Sequence, residues 1–551
     1  MPASDLGYVS YSYVAPYIEI DYDSITEYSI ERDQLIDLTN SPNVDSINIC
    51  ITSTNVDNNE NISTQSNDDP YYHISDVYSD VGITNRTTYN GEGIKVGILE
   101  DDLPLSNANF PNNSVTTYGA NSKEAHASNV MSLIGGKYGL APNVSFYCAA
   151  FRYKPNHSDN ISIIDCLNWL LITQSVDIIN ISAFLATYDD YNINPQDGTQ
   201  SVLRPNATSS ASYTNMCAYI DYAITTTGCL IVKAAGNWGD DVGTSYYQYI
   251  TKPGMSINSL TVGSCNVDKT VSAFSSFKVL NNDIHKPEVV APGEKIMLPN
   301  LTTLSGTSFS APIVTAIAAK LMQEFPKLKT NPALLKAAIM AGCVPCADQT
   351  ETLSDKSGYG IVNYEKSRDF ISTSQYGSTY VDQYTSKDTV VYHEKIALSS
   401  NISKRIIFNR SILAGDTCAG YSGFNPDSSN SVIDPGMIKY TVTVKDTSGS
   451  TIYNNIAWND STMLLTVSNK TAYEKEYEII ISTTERTKKR AETIAVIHGS
   501  HHVHCYDMSY VANDGRTHRA DCICGDPIIE VHTFNSSNVC TKCKMPKGFF
   551  S

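Results

Sequence analysis

Short, fully apolar runs alternate with helix-like segments between residues 93 and 262, and this alternation constrains the fold more than any other feature of the chain. The apolar runs span 93–99, 144–151, 176–181, 230–235 and 259–262. Segments with helical periodicity lie between several of them, at 126–134, 161–173 and 217–226. Strands without polar alternation are typical of parallel sheets that helices cover on both faces. The pattern therefore predicts an α/β fold with a mostly parallel sheet sandwiched by helices.

Polar side chains follow two of these predicted strands. Glu100, Asp101 and Asp102 come directly after the run 93–99, and Asn237 follows 230–235. In open parallel sheets, ligands bind outside the carboxyl ends of the strands. Both groups are therefore candidate site residues.

A serine lies where a small-residue turn enters an apolar helix. Residues 304–312 read LSGTSFSAP, and Ile313, Ile317 and Leu321 then repeat at helical spacing. This pattern places Ser308 at the start of a buried helix, where unpaired N–H groups and the helix dipole favour negative charge. A serine held there could attack a carbonyl and stabilise the resulting oxyanion. The alternative is a serine that only caps the helix.

His126, at the head of the helix-like segment 126–134, completes a set of chemically matched residues. An acid, a histidine, an amide donor and a serine are the four parts that acyl transfer by a serine nucleophile requires. Four separated segments of the sequence thus contain the components of a hydrolytic site.

The order acid, histidine, asparagine, serine, with these neighbours, resembles the subtilisin-like serine peptidases, the subtilase family. Other segments resemble further motifs of that family: Gly139-Leu140-Ala141-Pro142, Asn180-Ile181-Ser182, Ala291-Pro292-Gly293 and the residues 359–363. The resemblance covers about residues 71–372 and implies the subtilisin-like fold.

The resemblance also implies individual site residues. Ser308 would be the nucleophile and His126 the general base, then general acid, while the Asn237 side chain and the Ser308 N–H would form the oxyanion hole. The residues that it implies for substrate binding are Ser182, Ala183 and Gly236. It implies no cofactor for catalysis, and it implies structural calcium, for which the sequence identifies no ligands.

The acid that would orient His126 departs from the family's pattern of Asp, then Thr or Ser, then Gly. Aligning residues 95–99 with the family strand without gaps places Glu100 at the Asp position and Asp101 at the next. A glutamate can orient a catalytic histidine. Neighbouring strand residues point to opposite faces of a sheet, so only one of the two acids can serve. We expect Glu100, with Asp101 as the alternative.

The chain divides into five predicted parts. Residues 41–47 resemble the end of the family's inhibitory prosegment, a polar stretch without periodicity follows, and strand-like alternation begins after the peptidase domain. The predicted parts are a partial inhibitory prosegment (1–54), a linker (55–70), the peptidase domain (71–373), a β-sandwich accessory domain (374–498) and a small Cys/His-rich tail (499–551). A small N-terminal packing extension is the alternative for 1–54.

The tail contains two closely spaced cysteine pairs, Cys522 with Cys524 and Cys540 with Cys543. Four thiolate ligands suit tetrahedral zinc, although the spacing of the first pair is less typical than C-x₂-C. Disulfide bonds and a solvated tail without a metal are the alternatives.

Composition and charge exclude some partners. The formal net charge of -18 argues against nucleic acid, and no apolar run is long enough to cross a membrane. The N-terminus shows no signal peptide, so we expect either a cytosolic protein or a sequence that lacks its true start, and the shortness of the predicted prosegment favours the second. The family resemblance implies secretion or a cell-surface location. The expected partners are protein or peptide substrates and the chain's own prosegment.

Two hypotheses about function follow. The first is a serine endopeptidase that hydrolyses protein substrates through an acyl-enzyme on Ser308. The alternative is a catalytically impaired subtilase-fold surface or binding protein. The altered acid position favours the alternative, whereas the presence of His126, Asn237 and Ser308 favours the enzyme.

Overall fold

The structure, a computed structural model, describes residues 72–413, 432–500 and parts of 511–544. Within these ranges it leaves gaps, the longest at 152–162, 184–190, 194–199, 203–211, 241–247 and 485–490. The predicted prosegment (1–54) and linker (55–70) lie outside the described residues.

Helices and short strands alternate through the described part of residues 72–372. The helices are α1 (Ile74–Asp80), α2 (Ala125–Ile134), α3 (Ile163–Asn168), α4 (Asn215–Thr227), α5 (Thr307–Glu324), α6 (Pro332–Ala341) and α7 (Tyr364–Ser372). The strands are β1 (Tyr72–His73), β2 (Lys95–Glu100), β3 (Leu103–Pro104), β4 (Val115–Gly119), β5 (Lys123–Glu124), β6 (Ser145–Ala150), β7 (Ile178–Ile181), β8 (Tyr191–Ile193), β9 (Gln200–Val202), β10 (Leu230–Ala234), β11 (Leu260–Cys265), β12 (Val289–Pro292), β13 (Ile296–Met297) and β14 (Thr303–Leu304).

A seven-stranded parallel sheet organises this part of the molecule. Its strand order is β12-β11-β10-β7-β2-β6-β4, and every neighbouring pair runs parallel. Strand β2, next to the central strand β7, places Leu99 between Ala149 of β6 and Ile181 of β7. The predicted mostly parallel sheet is confirmed.

Both faces of the sheet are buried, and successive residues of β2 enter two different hydrophobic cores. Val96 and Ile98 pack into the core that contains residues of α2 and α5. Leu99 packs on the other face, with residues of α3 and α4. Because helices cover both faces, the strands need no polar alternation. This explains the continuous apolar runs in the sequence.

One predicted helix differs in detail. The periodicity of residues 161–173 predicts a single helix, whereas the structure ends α3 at Asn168 and continues as a π-helical turn, Trp169–Thr173. The wider turn directs the Trp169 ring onto Tyr118, with the two centroids 5.2 Å apart. The continuation of α3 thus packs against the edge strand of the sheet.

Two antiparallel sheets follow the helical part and form a sandwich. Their strands are β15 (Gln375–Val381), β16 (Val390–Leu398), β17 (Ser403–Ile412), β18 (Tyr440–Asp446), β19 (Thr451–Trp458), β20 (Thr462–Ser468), β21 (Lys475–Thr483) and β22 (Glu492–Ser500). The orders are β15-β22-β17-β20 and β16-β21-β18-β19. A shared core that includes Phe408, Tyr440, Trp458 and Ile479 lies between them, so the predicted β-sandwich is confirmed.

The sandwich packs directly on the peptidase part. Ile407, Ala495 and Ile497 belong to the same core as α5 and α6. The Asn258 side chain donates to the Ile412 carbonyl and accepts from the Ile412 N–H, at 3.0 and 2.9 Å. Apolar contact and reciprocal hydrogen bonds therefore join the two parts.

Of the tail, the structure describes a small antiparallel sheet and a few residues beyond it. The sheet consists of β23 (Val511–Ala512), β24 (Thr517–Asp521) and β25 (Pro527–Val531). Cys522, Cys524 and Cys543 lie outside the described residues, while Cys540 is buried. The zinc site stays a prediction.

Candidate active site

A carboxylate and an imidazole meet at the carboxyl end of strand β2. Glu100 is the last residue of β2 and is 2% exposed, and His126 is the second residue of α2. Their Oε2 and Nδ1 atoms lie 3.1 Å apart. An ionised carboxylate only accepts, so Nδ1 carries the proton in this bond and Nε2 is the basic nitrogen of the neutral ring. Of the two candidate acids, Glu100 is the one whose carboxylate is hydrogen-bonded to His126.

Asp101 follows the end of β2 and is partly buried. Burial raises the pKa of its carboxyl group to about 7, and the neighbouring negative charge of Glu100 adds to the effect, while His126 opposes it. Two carboxyl groups therefore follow one another at the end of β2, and the Asp101 group holds its proton more readily than a solvated aspartate does.

Ser308 lies in the first turn of α5 and is only 1% exposed. Pro312 has no N–H to donate to the Ser308 carbonyl, and the Ser182 hydroxyl donates to that carbonyl instead, at 2.9 Å. The Ser308 hydroxyl in turn donates to the Ser182 carbonyl at 3.1 Å. This reciprocal pair fixes the start of α5 against the end of β7.

The segment after β7 is held by further side chains. The Asn180 amide donates to Ser182 Oγ at 2.9 Å, and its oxygen accepts from Thr315 of α5 at 3.1 Å. His126 lies close to the same helix, with its ring centroid 5.7 Å from that of Phe309. The structure thus gathers His126 and Ser308 around the N-terminal turn of α5.

Thr307 fixes the orientation of Asn237. Asn237 Oδ1 accepts from the N–H and the hydroxyl of Thr307, at 2.8 and 3.0 Å. The Thr307 hydroxyl also accepts from the Gly236 N–H at 3.0 Å. With its oxygen engaged by two donors, the amide directs Nδ2 away from Thr307 as an available donor. Sequence analysis missed Thr307, although its position beside Ser308 was a usable signal.

The predicted substrate-binding residues share one edge of the sheet. Ser182 and Ala183 directly follow β7, and Gly236 follows the neighbouring strand β10, whose Lys233 is level with Ile181. All three are buried. Gly236 has a φ of +116°, and a Cβ there would overlap Thr251, so both conformation and space require glycine.

Lys233 is a buried amine that sequence analysis did not single out. It donates to the Ala234 carbonyl and, at 3.1 Å, to Thr251 Oγ1. Burial lowers the pKa of Lys233 to about 7, partly offset by the charge of Glu100. Thr251 also donates to the Ala235 carbonyl at 3.1 Å. The amine therefore supports the backbone just before Gly236.

No cluster of three or more His, Cys, Asp or Glu side chains suited to a metal ion occurs among the described residues. None of the described helices is long and apolar enough to cross a membrane. The structural calcium implied by the family resemblance stays a prediction.

The arrangement has the parts needed for acyl transfer. Its hydroxyl lies at the N-terminus of a buried helix, close to an imidazole bonded to a carboxylate. Beside them lies a side-chain amide with its oxygen already bonded. Such a set supplies a nucleophile, a base and an oxyanion donor.

Comparison with known proteins agrees with this chemistry. The matched segment is 32% identical to serine protease AprX of Bacillus subtilis (strain 168) over 165 residues, covering 25% of this chain and 35% of that protein. It is 24% identical to subtilisin-like protease SBT6.1 of Arabidopsis thaliana over 277 residues. That match covers 46% of this chain and 24% of that protein. The matches thus span about a third and a quarter of these relatives' lengths.

Solved structures of proteases also resemble the chain. The prenylagaramide maturation protease PagA matches with 22% identity and a TM-score of 0.38, covering 53% of this chain and 97% of that one. MycP1 from Mycobacterium smegmatis matches with 20% identity and a TM-score of 0.36, covering 59% of this chain and 89% of that one. Finally, residues 45–361 match the sequence model of the subtilase family. The chain therefore belongs to the subtilases, a family of serine peptidases.

Proposed function

We propose that the protein is a serine endopeptidase that cleaves protein substrates through an acyl-enzyme on Ser308. The observation that carries this proposal is the 3.1 Å bond between Glu100 and His126 beside the helix start that holds Ser308. Family membership and the protease relatives support the reaction class.

The first step transfers the Ser308 proton to His126 as Oγ attacks the substrate carbonyl. The Ser308 hydroxyl must first release the Ser182 carbonyl, to which it donates in the free protein. The imidazolium that forms is stabilised by Glu100, whose carboxylate already accepts from Nδ1. Glu100 thus both orients the ring and balances its charge.

The oxyanion would be stabilised by two donors. One is Asn237 Nδ2, whose direction is set by the bonds from Thr307 to Asn237 Oδ1. The other is the Ser308 N–H, which lies in the first turn of α5, where backbone donors have no helical partner. Collapse of the intermediate gives the leaving amine the proton from His126. Water then hydrolyses the ester by the same route.

We expect an extended substrate to lie along the chain that follows β7. Strand-like pairing with Ser182 and Ala183 would place a scissile bond near Ser308, because Ser182 contacts Ser308 directly. Gly236, on the neighbouring strand end, would form the facing wall. Backbone pairing does not require a chain terminus, which favours internal cleavage.

Labelling with a fluorophosphonate tests the proposal. Wild-type protein should form an adduct on Ser308, located by mass spectrometry, and Ser308→Ala should form none. Ser310→Ala is the matched control, because Ser310 is buried in the same helix turn and should leave labelling intact. An unlabelled wild type would favour the catalytically impaired binding protein, and labelling that survives Ser308→Ala would reject Ser308 as the nucleophile.

The same preparations test maturation and metal content. We propose that self-cleavage within 55–70 releases the prosegment, so Ser308→Ala should keep residues 1–54 that the wild type loses. Native mass spectrometry of both proteins reports zinc retained by the tail cysteines and any bound calcium. Secretion or a cell-surface location, proposed from the family, is tested by fractionating cells that express the full gene.

A further inference from the structure

Lys233 is a buried amine at the point where the ladder between two strands of the parallel sheet ends. The last pair of the ladder between β7 and β10 is Ile181 with Lys233, so this ladder offers no partner to the next carbonyl of β10, that of Ala234. The Lys233 amine donates to this carbonyl. A side chain therefore supplies, just beyond the ladder, the hydrogen bond that a neighbouring strand supplies within it.

The same amine reaches the following carbonyl through Thr251. Lys233 Nζ donates to Thr251 Oγ1 at 3.1 Å, and that hydroxyl donates to the Ala235 carbonyl, also at 3.1 Å. The Thr251 N–H donates to the same carbonyl at 2.8 Å. Lys233 and Thr251 are each 1% exposed. Together they hold two successive carbonyls, those of Ala234 and Ala235.

These two carbonyls precede the turn that carries the proposed oxyanion donor. Gly236 has a φ of +116° and no side chain, so the turn is held there through its backbone. Its N–H donates to Thr307 at 3.0 Å, and Thr251 lies so close that a Cβ on Gly236 would overlap it. Asn237 follows directly along the chain. The position of Asn237 therefore depends on how firmly residues 234–236 are held.

A lysine is costly at such a buried position, because burying an amine is unfavourable unless hydrogen bonds compensate it. Among the residues that the structure describes, no carboxylate forms an ion pair with Lys233. Burial lowers the pKa of Lys233 to about 7, and the charge of Glu100 opposes this effect. A neutral amine keeps two N–H donors, the number that the bonds to Ala234 and Thr251 need. Both bonds can therefore form whether or not the amine is charged.

We infer that Lys233 is a positioning residue for the oxyanion site. Its amine holds the Ala234 carbonyl directly and the Ala235 carbonyl through Thr251, and this fixes the backbone that carries Asn237. The inference rests on the proposed role of Asn237 as an oxyanion donor. Without the amine, that donor is present but less precisely placed, which weakens stabilisation of the transition state more than substrate binding.

Replacing Lys233 by Met, which has a similar length but no donor, tests the inference. We expect kcat on a peptide substrate to fall by about tenfold and KM to change by less than about twofold. When Lys233→Met is combined with Asn237→Ala, kcat should match that of Asn237→Ala alone, because Lys233 acts through Asn237.

Lys320→Met is the matched control. The Lys320 amine is also buried and donates to two backbone carbonyls, those of Thr88 and Tyr89. Its loss should lower Tm, because both carbonyls lose a donor, while kcat stays within about twofold of wild type.

The inference is overturned if Lys233→Met, folded by circular dichroism, keeps the kcat of the wild type, or if its loss adds in full to that of Asn237→Ala. Thr251→Val decides the matter should Lys233→Met fail to fold. Valine keeps the shape of Thr251 against Gly236 but removes the link from Lys233 to Ala235, so kcat should fall by about threefold. In that case an unchanged kcat of Thr251→Val overturns the inference.

A substrate-free measurement separates failure of this inference from failure of the proposed function. The NMR signals of the Asn237 side-chain amide, assigned by their absence from Asn237→Ala, report the surroundings of the donor directly. They should shift in Lys233→Met and stay in place in Lys320→Met. A wild type that fluorophosphonate labels at Ser308, together with unchanged Asn237 signals in Lys233→Met, would reject the role of Lys233 alone. A wild type that is not labelled would instead reject the proposed function.

Discussion

Thr307 joins the start of α5 to the neighbouring residues Gly236 and Asn237. Its hydroxyl accepts from Gly236 and donates to Asn237, while its N–H bonds to the same Asn237 oxygen. A freely rotating asparagine would lose entropy on aligning with an oxyanion, whereas this one is already aligned. Thr307 therefore fixes, before a substrate arrives, the side chain that we propose as an oxyanion donor.

We expect Thr307→Val, which keeps the shape but removes the hydroxyl, to lower kcat by about tenfold with little change in KM. The remaining N–H bond to Asn237 explains why the loss is smaller than the 10²–10³ expected for Asn237→Ala. Steady-state kinetics on a peptide substrate measures both, and the double variant should resemble Asn237→Ala alone.

Thr226→Val is the control, because that hydroxyl bonds only within its own helix, to the Tyr222 and Ala223 carbonyls. It should leave kcat within about twofold of wild type. Additive losses in the double variant would show that Thr307 acts independently of Asn237.

For individual site residues, the sequence could identify the candidate side chains but not which of them bond to one another. Ser308, His126 and Asn237 stand in distinctive local contexts, so each could be named as a candidate from its neighbours. The bond from Glu100 to His126 depends on where β2 ends, and strand alternation alone leaves Asp101 as a rival. Thr307 and Lys233 were missed because their partners, Asn237 and Thr251, are distant or unremarkable in sequence.

The helix α6 depends on the sandwich at both of its ends. At its start, Asn331 caps the Leu334 N–H at 3.0 Å, and the Asn409 amide donates to the Ala333 carbonyl at 2.8 Å. At its end, the Arg405 guanidinium donates to the carbonyls of Ala341 and Cys343. Strand β17, which carries Asn409 and Arg405, thus contacts both ends of the helix, and Arg405 supplies a donor where the last carbonyls have no helical partner.

Replacing Arg405 by Met should destabilise the protein by about 1–3 kcal/mol, because two backbone carbonyls at the domain contact lose their donor. Urea unfolding followed by circular dichroism measures the change. Lys395→Met is the control: Lys395 lies exposed on the sandwich, where its pairs with Glu476 and Glu478 contribute little. If both variants were equally stable, Arg405 would be a surface contact rather than a cap.

Three strands of the sandwich lack the alternation of a half-buried strand, for two different reasons. In β22, Ile494 and Val496 face the sandwich core while Ala495 and Ile497 face the peptidase core, so the strand shows no polar alternation. In β15 and β19, exposed and polar residues predominate because each lies at the edge of its sheet. Alternation of apolar and polar residues predicts strands with one buried face and one exposed face. It does not predict strands whose two faces are both buried or both exposed to solvent.

The molecule as a whole joins its two parts by a continuous core and by polar contacts between them. The sequence predicts that residues 374–498 form an accessory module. A local sequence pattern does not indicate which face of that module packs against the peptidase part. The structure places the β17–β22 face against α6 and α7. Contacts between distant segments therefore determine how the sandwich packs on the peptidase part.

One polar contact between the parts depends on ionisation. His285 Nδ1 lies 2.7 Å from Asp460 Oδ2 in the turn between β19 and β20, and Asp355 lies 3.5 Å from Nε2. The hydrogen bond to Asp460 raises the pKa of His285 above its ordinary value, against the effect of burial. A histidine with a raised pKa in the folded state stabilises fully below its unfolded pKa of about 6.5, and that stabilisation is lost as pH rises through the folded value.

Asp460→Asn should therefore lower Tm more at pH 6 than at pH 9, since the amide cannot balance a charged imidazole. Thermal unfolding of wild type and variant across this range measures the difference. Asp369→Asn, at an exposed site of α7, should give equal curves for variant and wild type at every pH. An equal loss of Tm at pH 6 and pH 9 would mean that Asp460 acts only through its bonds to Ser461 and the His285 N–H, which do not depend on the charge of the ring.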